Sequence, residues 1–414
     1  MTTALLADPA VYEEGVPHAE FARRRREEPV AWVEEPPLAR LGADGVTLDR
    51  GSGYWAVTRH ASVHAVSRDP ATYSSAERGA FLADPQTPHD LERNRQLLVN
   101  MDAPRHTWIR RLVAGSFTPR AIAKLHGLVR HHAQGVVGRA VAAVEIDVVT
   151  DLAAELPLLV LADLLGMASQ DRGLLFTWSN NLVGFDDPRF GGGRVEVYRQ
   201  TFYEASAYCR ELTERRRRAP GDDVFSQLVH VHADGQRLSE AELFQLWLLL
   251  VIAGNETTRH LVSGSVAALF AHPDQRDRLL ADPSLVPAAV EELLRWVTPI
   301  MQFRRTAVRD TVLDGQPISA GDKVVMYYVS ANRDEAVFAA PDRLDLGRVD
   351  NPHLAFGVGP HFCLGAHLAR LEAAELLRAL LPHLGRLEPA GPPQRMRSNF
   401  MNAMTSLPAR FGVG

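Results

Sequence analysis

The sequence predicts a mainly α-helical protein with a minor β part, that is, an α+β chain. The first observation is a capping box, Ser-Glu-Ala-Glu at residues 239–242, which marks the start of a helix that can run to His272. At 1.5 Å per residue this helix would be about 50 Å long, enough to cross a whole domain. The second observation is that β-like runs are confined to about residues 29–63 and 300–330. Together they predict helices packed around one long central helix, with small sheets beside them.

The predicted elements follow in chain order. Two short strands, Val30–Val33 and Tyr54–Val57, are separated by a glycine-rich turn region. Residues 69–100 are polar, contain proline and lack a clear period, which predicts a loop. An Asp-Gly pair within residues 312–318 predicts a hairpin, and a strand at 323–329 follows it. Apolar residues at helical spacing predict helices at about residues 104–138, 151–165, 239–272 and 282–296.

Composition limits the function classes. The chain has 414 residues, 46% hydrophobic and 23% charged, with a formal net charge of −5, which is typical of a soluble globular protein. We find no linker-like stretch and expect residues 1–414 to form a single domain. The mild acidity gives no reason to expect nucleic acid as a partner, and no apolar run is long enough to span a membrane. The N-terminus lacks the features of a signal peptide, and the two cysteines are far apart, so we expect a reducing, cytoplasmic location.

One cysteine lies in a glycine-punctuated loop at residues 356–365, Phe-Gly-Val-Gly-Pro-His-Phe-Cys-Leu-Gly. An amphipathic run directly after the loop predicts a helix, so Cys363 should lie at a helix N-terminus, where the macrodipole favours a thiolate. The glycines let the backbone approach a flat ligand closely. A thiolate with a cationic or hydrogen-bonding His361 two residues earlier suits an axial ligand of haem iron.

Two other interpretations are open on these residues alone. Cys363 can be a buried helix-capping cysteine, as free cysteines often are, and a zinc site of His361, Cys363 and His367 would lack the paired spacing of known zinc sites. The complete pattern resembles the haem-binding signature of the cytochrome P450 family, F-G-x-G-x-H-x-C-x-G, with every specified position met. The resemblance implies the cytochrome P450 fold, haem b as cofactor, Cys363 as the ligand of its iron, and Phe356 among the haem-binding residues.

A second motif lies midway along the predicted central helix. Gly254 and Glu256 are unusual in a buried helix, because glycine costs about 1 kcal/mol relative to alanine and an unpaired buried carboxylate costs more. A simpler interpretation is that Thr257 only bonds the carbonyl one turn back and bends the helix. The segment Ala-Gly-Asn-Glu-Thr at 253–257 resembles the oxygen-activation motif of the same family. The resemblance implies that Thr257 orients dioxygen and a water molecule, and that Glu256, where the family more often has aspartate, starts a proton relay.

Two further donors are four residues apart, so a helix presents His106 and Arg110 on one side. They can be a surface histidine and its intrahelical arginine neighbour, or charge-assisted partners of an acidic ligand. The surrounding segment resembles the start of the corresponding helix in the family. The resemblance implies that His106, Arg110, Arg305 and His361 bind the haem propionates, with Arg304 as an adjacent competitor for the role of Arg305.

Glu292 and Arg295 are three residues apart on a predicted helix. An exposed pair of this kind would be worth little. The pair and a later Pro-Asp-Arg-Leu segment resemble the E-x-x-R and P-x-R-F elements of the family. The resemblance implies a buried network of Glu292, Arg295 and Arg343, with Arg348 as the fallback because leucine replaces phenylalanine in the second element.

The resemblance spans nearly the whole chain, and several stretches resemble a bacterial subgroup that oxidises sterol side chains, terpenoids and methyl-branched lipids. It implies a haem-thiolate monooxygenase that takes electrons from a ferredoxin, served by a ferredoxin reductase and NAD(P)H. Such an enzyme inserts one atom of O₂ into an apolar substrate. We expect a monomer. The candidate substrate pocket is mostly apolar and consists of Val99, Val183, Phe185, Ala253, Ile300, Met301, Phe400 and Met401.

Three alternatives share the haem site. A tailoring oxidase of a secondary-metabolite pathway would use it for ring coupling, desaturation or hydroxylation. A haem-binding sensor or electron carrier would not turn over a substrate and would have no need of the Gly254–Glu256–Thr257 arrangement. A peroxide-driven enzyme would differ in needing no ferredoxin or NAD(P)H.

Overall fold

The computed structural model describes residues 6–42, 45–49, 51–85, 87–232 and 235–412. Its α-helices are α1 (His18–Glu27), α2 (His60–Arg68), α3 (Pro88–Asn94), α4 (Arg105–Ala114), α5 (Pro119–Ala123), α6 (His126–Ala143), α7 (Glu155–Leu164), α8 (Arg172–Val183), α9 (Val195–Arg218), α10 (Val224–His230), α11 (Glu240–Ala271), α12 (Pro273–Ala281), α13 (Val286–Val297), α14 (Tyr328–Ala331) and α15 (Ala366–Leu384).

The strands form small sheets. Their bounds are β1 (Val30–Val33), β2 (Leu38–Gly42), β3 (Gly45–Asp49), β4 (Tyr54–Val57), β5 (Tyr73–Ser74), β6 (Glu145–Asp147), β7 (Gln302–Ala307), β8 (Thr311–Leu313), β9 (Gln316–Ile318), β10 (Lys323–Tyr327), β11 (Leu387–Pro389), β12 (Gln394–Arg395), β13 (Met404–Ser406) and β14 (Pro408–Phe411). The largest sheet has the order β1-β4-β10-β7-β5. In it β10 is parallel to β4 and antiparallel to β7. The predicted class, mainly α with a minor β part, is confirmed.

Helix α11 is the long central helix that the capping box predicted. The Ser239 hydroxyl accepts a hydrogen bond from the Glu242 amide, and the Glu242 carboxylate accepts one from the Ser239 amide. The helix then runs for 32 residues, or about 48 Å at the standard rise. It packs against α7, α8, α13 and α15, and most of its apolar side chains belong to the main hydrophobic core. The fold is therefore built around α11.

Two local predictions have different outcomes. The hairpin β8–β9 turns at Asp314 and Gly315, both with positive φ (47° and 80°), as a type I′ turn requires. The predicted loop at 69–100 is partly wrong, because it contains β5 and α3. Thr87 caps α3 by accepting a hydrogen bond from the Asp90 amide. Since α3 has no buried residues, it lacks the apolar period by which a helix is recognised.

Within the described residues, no helix combines the length and apolar character that crossing a bilayer requires.

Candidate functional site

A large cavity lies between α11 and the loop that precedes α15. It holds about 1670 Å³ of space, part of which is open to solvent. Its polar groups come from α4, β7, α11, α14, α15 and the cysteine loop, and the rest of its wall is apolar. The apolar wall includes Leu98, Val99, Phe117, Leu161, Leu246, Leu249, Leu250, Ala253, Ile300, Phe303, Leu368 and Ala369.

The cysteine loop forms one wall of this cavity, and Cys363 lies three residues before the first residue of α15. The Cys363 amide donates a hydrogen bond to the Phe356 carbonyl at 2.9 Å, which closes the loop. Gly359 has a φ of 79°, and a Cβ there would lie 2.6 Å from the Ser67 carbonyl oxygen on α2. Only glycine fits this position without moving α2. The loop is thus fixed from two sides, and its cysteine faces the cavity.

The electrostatics of the thiol differ from the prediction. Burial raises the pKa of the Cys363 thiol, and a hydrogen bond from the Gly365 amide and the nearby Arg110 guanidinium oppose that rise. The helix terminus alone therefore does not make Cys363 a thiolate. A metal ion that binds the sulfur deprotonates a thiol outright. The geometry therefore suits a Cys363 thiol that loses its proton when it binds a metal ion.

Four nitrogen donors of the cavity wall lie together. The His106 and His361 rings are 4.2 Å apart between centroids, and Arg110 and Arg305 line the same cavity. Burial, with Arg305 and His106, lowers the pKa of His361 to about 2, which favours the neutral, hydrogen-bonding form of the two that the sequence left open. Its predicted hydrogen-bonding form is present, since Nε2 lies 3.2 Å from the Ser75 hydroxyl.

This donor set fits an acidic group. Nε2 of His106 is buried without a protein partner, and in the described part of the chain no carboxylate forms an ion pair with Arg110 or Arg305. Arg304, the competitor, is instead bound to Asp84 at 2.7 Å and does not line the cavity. Two uncompensated guanidiniums and an unpaired imidazole are what carboxylates such as haem propionates would satisfy.

Phe356 lines the cavity beside this set. Its ring packs against Phe362 and His353, and the Arg370 guanidinium lies 4.5 Å from its centroid. The residues that would form a zinc site with Cys363 are not grouped: no cluster of three or more potential metal ligands occurs among the described residues.

The α11 motif divides between two faces of the helix. Ala253 and Thr257 line the cavity, and the Thr257 hydroxyl donates to the Ala253 carbonyl at 2.7 Å. The hydrogen bond to the carbonyl one turn back, which a helix-bending threonine would make, is thus present. The role of Thr257 in oxygen activation stays a prediction. A Cβ on Gly254 would lie 2.8 Å from the Leu161 side chain, so this glycine lets α11 and α7 pack closely.

Glu256 is almost fully buried, at 1% exposure, and is not part of the cavity wall. Its carboxylate is paired with the Arg259 guanidinium and lies 3.2 Å from Nε2 of His260. Arg259 also donates to the Asn180 side-chain oxygen on α8 at 2.9 Å. Burial alone would raise the pKa of Glu256, but the charge of Arg259 and the hydrogen bonds of His260 and Ser179 together lower it. The carboxylate is therefore ionised, and its charge is compensated on the side of α11 that faces α8.

Sequence reasoning missed three residues of this region. Arg259 and His260 follow Glu256 by three and four residues, which is the spacing of helical neighbours. Glu372 on α15 lines the cavity, and burial raises the pKa of its carboxyl to about 8, with Thr258 as a hydrogen-bond partner. The usable signals were a charged pair at helical spacing within an apolar helix and a glutamate in an otherwise apolar helical run.

The structure brings only part of the predicted substrate pocket together. Val99, Ala253 and Ile300 line the cavity. Met301 is wrong, because it is fully buried in the core formed by the N-terminal segment and the sheet. The remaining four candidates do not line this cavity: Met401, Phe400 and Val183 belong to an apolar cluster that adjoins it through Ile300, and Phe185 packs its ring against Tyr198.

The predicted ion network is present with one correction. Glu292 and Arg295 are fully buried and form a bidentate pair with bonds of 2.7 and 2.8 Å. The second arginine is Arg348, whose Nε donates to Glu292 at 3.0 Å. Arg343 is wrong, since its side chain is exposed and it contributes only its backbone carbonyl, which accepts bonds from Arg295 and Arg348.

Comparisons with known proteins agree with this geometry. The profile of the cytochrome P450 family matches residues 194–411. A steroid C26-monooxygenase of Mycobacterium tuberculosis is 38% identical over 400 residues, which cover 96% of this chain and 90% of the relative. A methyl-branched lipid omega-hydroxylase of the same organism is 39% identical over 399 residues, covering 94% and 90%. The solved structure of a Mycobacterium marinum cytochrome P450 in complex with pseudoionone is 40% identical, with a TM-score of 0.87 and coverage of 95% of this chain and 94% of the other.

Proposed function

The chain belongs to the cytochrome P450 family of haem-thiolate monooxygenases, and we propose that it hydroxylates an aliphatic, branched part of an apolar substrate such as a sterol, a terpenoid or a methyl-branched lipid. The observation that supports this substrate class is the cavity wall, which is aliphatic and aromatic away from the haem-binding donors. The relatives that are named as steroid and methyl-branched lipid hydroxylases support it as well.

The cofactor of the family is haem b. Cys363 would hold its iron, and His106, Arg110, Arg305 and His361 would bind its propionates. When bound, the haem activates dioxygen with two electrons, and its thiolate ligand favours cleavage of the O–O bond. The protein's own contribution is to exclude water, to orient the substrate against the haem and to supply protons.

We propose that Thr257 and Glu256 supply these protons. The Thr257 hydroxyl lies on the cavity side of α11, where it can hold a water molecule close to the reacting oxygen. Glu256 is the adjacent residue, and its carboxylate can accept and release a proton when it exchanges its present partners for that water. Positioned proton transfer is typically worth about 100- to 10,000-fold in rate.

Replacing Thr257 with alanine is expected to uncouple the reaction. Haem content and substrate binding should stay unchanged, while product formed per NAD(P)H consumed falls by about 100-fold, the lower end of what positioned proton transfer contributes. The electrons should leave as hydrogen peroxide. The measurement is NAD(P)H, peroxide and product in the same reaction.

Two further variants sharpen this test. Thr257→Ser keeps the hydroxyl and should retain most of the coupling. Glu256→Gln should slow NAD(P)H consumption itself, because the relay is cut before the threonine. Unchanged product per NAD(P)H in Thr257→Ala would mean that the hydroxyl only bonds the Ala253 carbonyl and bends the helix.

The substrate class has its own test. A panel of sterols, terpenoids and methyl-branched lipids is expected to shift the haem absorbance of the purified enzyme on binding, because the cavity offers apolar surface and burial of such surface stabilises a complex by about 25 cal/mol per Å². Carboxylated or phosphorylated metabolites of similar size serve as the control and should not bind. Tight binding of a charged metabolite, with no response to the apolar panel, would contradict the proposal.

We further propose that the enzyme acts as a cytoplasmic monomer of one domain and receives its electrons from a ferredoxin and its reductase. Turnover that needs ferredoxin, reductase and NAD(P)H supports this arrangement. Equal turnover with peroxide alone would favour the peroxide-driven alternative.

A further inference from the structure

The carboxylate of Glu256 has no direct access to solvent. It is 1% exposed, and its surroundings are α11 and the facing residues Ser179 and Asn180 of α8. A proton relay that starts at Glu256 therefore needs a further group to bring protons to this carboxylate. That group must contact Glu256 and must be able to take up and release a proton.

The neighbours of Glu256 differ in this ability. Arg259 keeps its proton in proteins, and the Asn255 amide, 3.3 Å from the carboxylate, does not titrate. His260 is different, because its imidazole has two nitrogens that can exchange protons. Nε2 lies 3.2 Å from the Glu256 carboxylate. Nδ1 is buried and has no protein partner in the described part of the chain.

Three unpaired polar atoms belong to the side chains that contact this carboxylate. Besides Nδ1 of His260, they are the Asn255 side-chain oxygen and Nε of Arg259. All three side chains are at most 2% exposed. Buried polar atoms without protein partners are commonly satisfied by internal water. The same region therefore combines an exchangeable imidazole with the polar atoms that bind buried water.

We propose that His260 is the residue that passes protons from buried water to Glu256; this inference rests on the proposed relay through Glu256 and Thr257. In one transfer, Nδ1 accepts a proton from water, and Nε2 gives its own proton to the Glu256 carboxylate. The water regains a proton from the next water molecule. The ring ends neutral in the other tautomer, with its proton on the nitrogen that faces the water, and a half-turn of the imidazole about its Cβ–Cγ bond turns the protonated side back towards Glu256 before the next transfer. His260 thus acts through Glu256 and does not touch the substrate or the haem.

The charges around His260 keep this mechanism available at neutral pH. Burial and the neighbouring Arg259 lower the pKa of His260, which outweighs the opposite effect of Glu256. Arg395 of β12 adds to the lowering. The imidazole is therefore neutral, with one nitrogen that donates and one that accepts.

The test compares His260→Gln with His260→Leu in the haem-loaded enzyme. The glutamine amide can keep a hydrogen bond to Glu256 but does not pass protons, and leucine removes both functions. Both variants should slow NAD(P)H consumption by about tenfold or more, an effect within what positioned proton transfer can contribute to a rate. Both should also raise the solvent deuterium isotope effect on NAD(P)H consumption. Haem content and the substrate-induced absorbance shift should remain those of the wild type. Ser263→Ala is the control, because Ser263 is buried on the same helix and bonds only backbone carbonyls.

A second readout does not depend on turnover. A high-resolution crystal structure of the wild-type protein should show a water within about 2.7–3.2 Å of Nδ1 of His260. Wild-type rates and isotope effects in His260→Gln would overturn the inference, as would a dry Nδ1. Glu256→Gln separates this failure from that of the proposed function. If Glu256→Gln is impaired while His260→Gln is not, the relay stands without His260; if both behave as wild type, the relay itself is wrong.

Discussion

Replacing Cys363 with alanine is expected to abolish monooxygenase activity. The variant should lose most of its haem, and any haem that remains should lack the red-shifted absorption of a reduced, CO-bound haem-thiolate protein. The physical reason is that Cys363 places its sulfur atom in the cavity wall, and that the loop around it is held in position from both sides. The measurement is haem content together with the reduced CO spectrum.

Cys209 is the matched control, since the sequence contains no third cysteine. It lies within α9, is 2% exposed, and burial raises the pKa of its thiol to about 12. Cys209→Ala should therefore keep the thiolate spectrum of the wild type. An unchanged thiolate band in Cys363→Ala would refute the assignment of the iron ligand.

Much of the fold could be predicted because its signals are local. The capping box of α11, the strands β1 and β4 and the Asp-Gly hairpin each depend on residues that are neighbours in sequence. Their chemistry determines helix starts, pleated strands and turns within a few residues. The short helix α3 was missed for the opposite reason: it buries no residue, so only its cap marks it in the sequence.

Site residues could be predicted where a sequence motif contains them. They could not be predicted where packing between segments distant in sequence determines which side chains face the cavity. Val99, Ala253 and Ile300 line the cavity, whereas Met301, the next residue of the same segment, is buried in another core. Side chains of an extended segment alternate between opposite faces, and the sequence alone does not say which face meets the cavity. The direction of Glu256, towards α8 instead of the cavity, depends in the same way on packing between helices distant in sequence.

The ion network of Glu292 shows the same limit of sequence-based prediction for its second arginine. Arg343 and Arg348 are five residues apart in an irregular segment, and no periodicity says which of them turns inward. The backbone decides: the chain at Arg343 offers its carbonyl to both buried arginines and leaves the side chain outside. A motif can therefore place an arginine near this network without assigning the residue.

Replacing Glu292 with alanine is expected to cost roughly 3–5 kcal/mol of stability, the usual cost of breaking a buried ion pair from one side. It would leave Arg295 buried without its carboxylate and remove an acceptor of Arg348, Asn351 and the Asp345 amide. These contacts hold the segment that leads into the cysteine loop, and so haem retention should fall before substrate affinity does. Thermal unfolding and the ratio of haem to protein in the purified variant measure both effects.

The two arginines provide the decisive comparison. Arg348→Ala removes a guanidinium that is bonded to Glu292 and to the Ala339 and Arg343 carbonyls, and it should also lower stability and haem content. Arg343→Ala removes only an exposed side chain and leaves its carbonyl in place, so it should stay close to the wild type. Surface substitutions of this kind usually change stability by no more than about 0.5 kcal/mol. If Arg343→Ala lost haem while Arg348→Ala kept it, the network would have to be reassigned to Arg343, because a buried charge pair cannot lose a partner without cost.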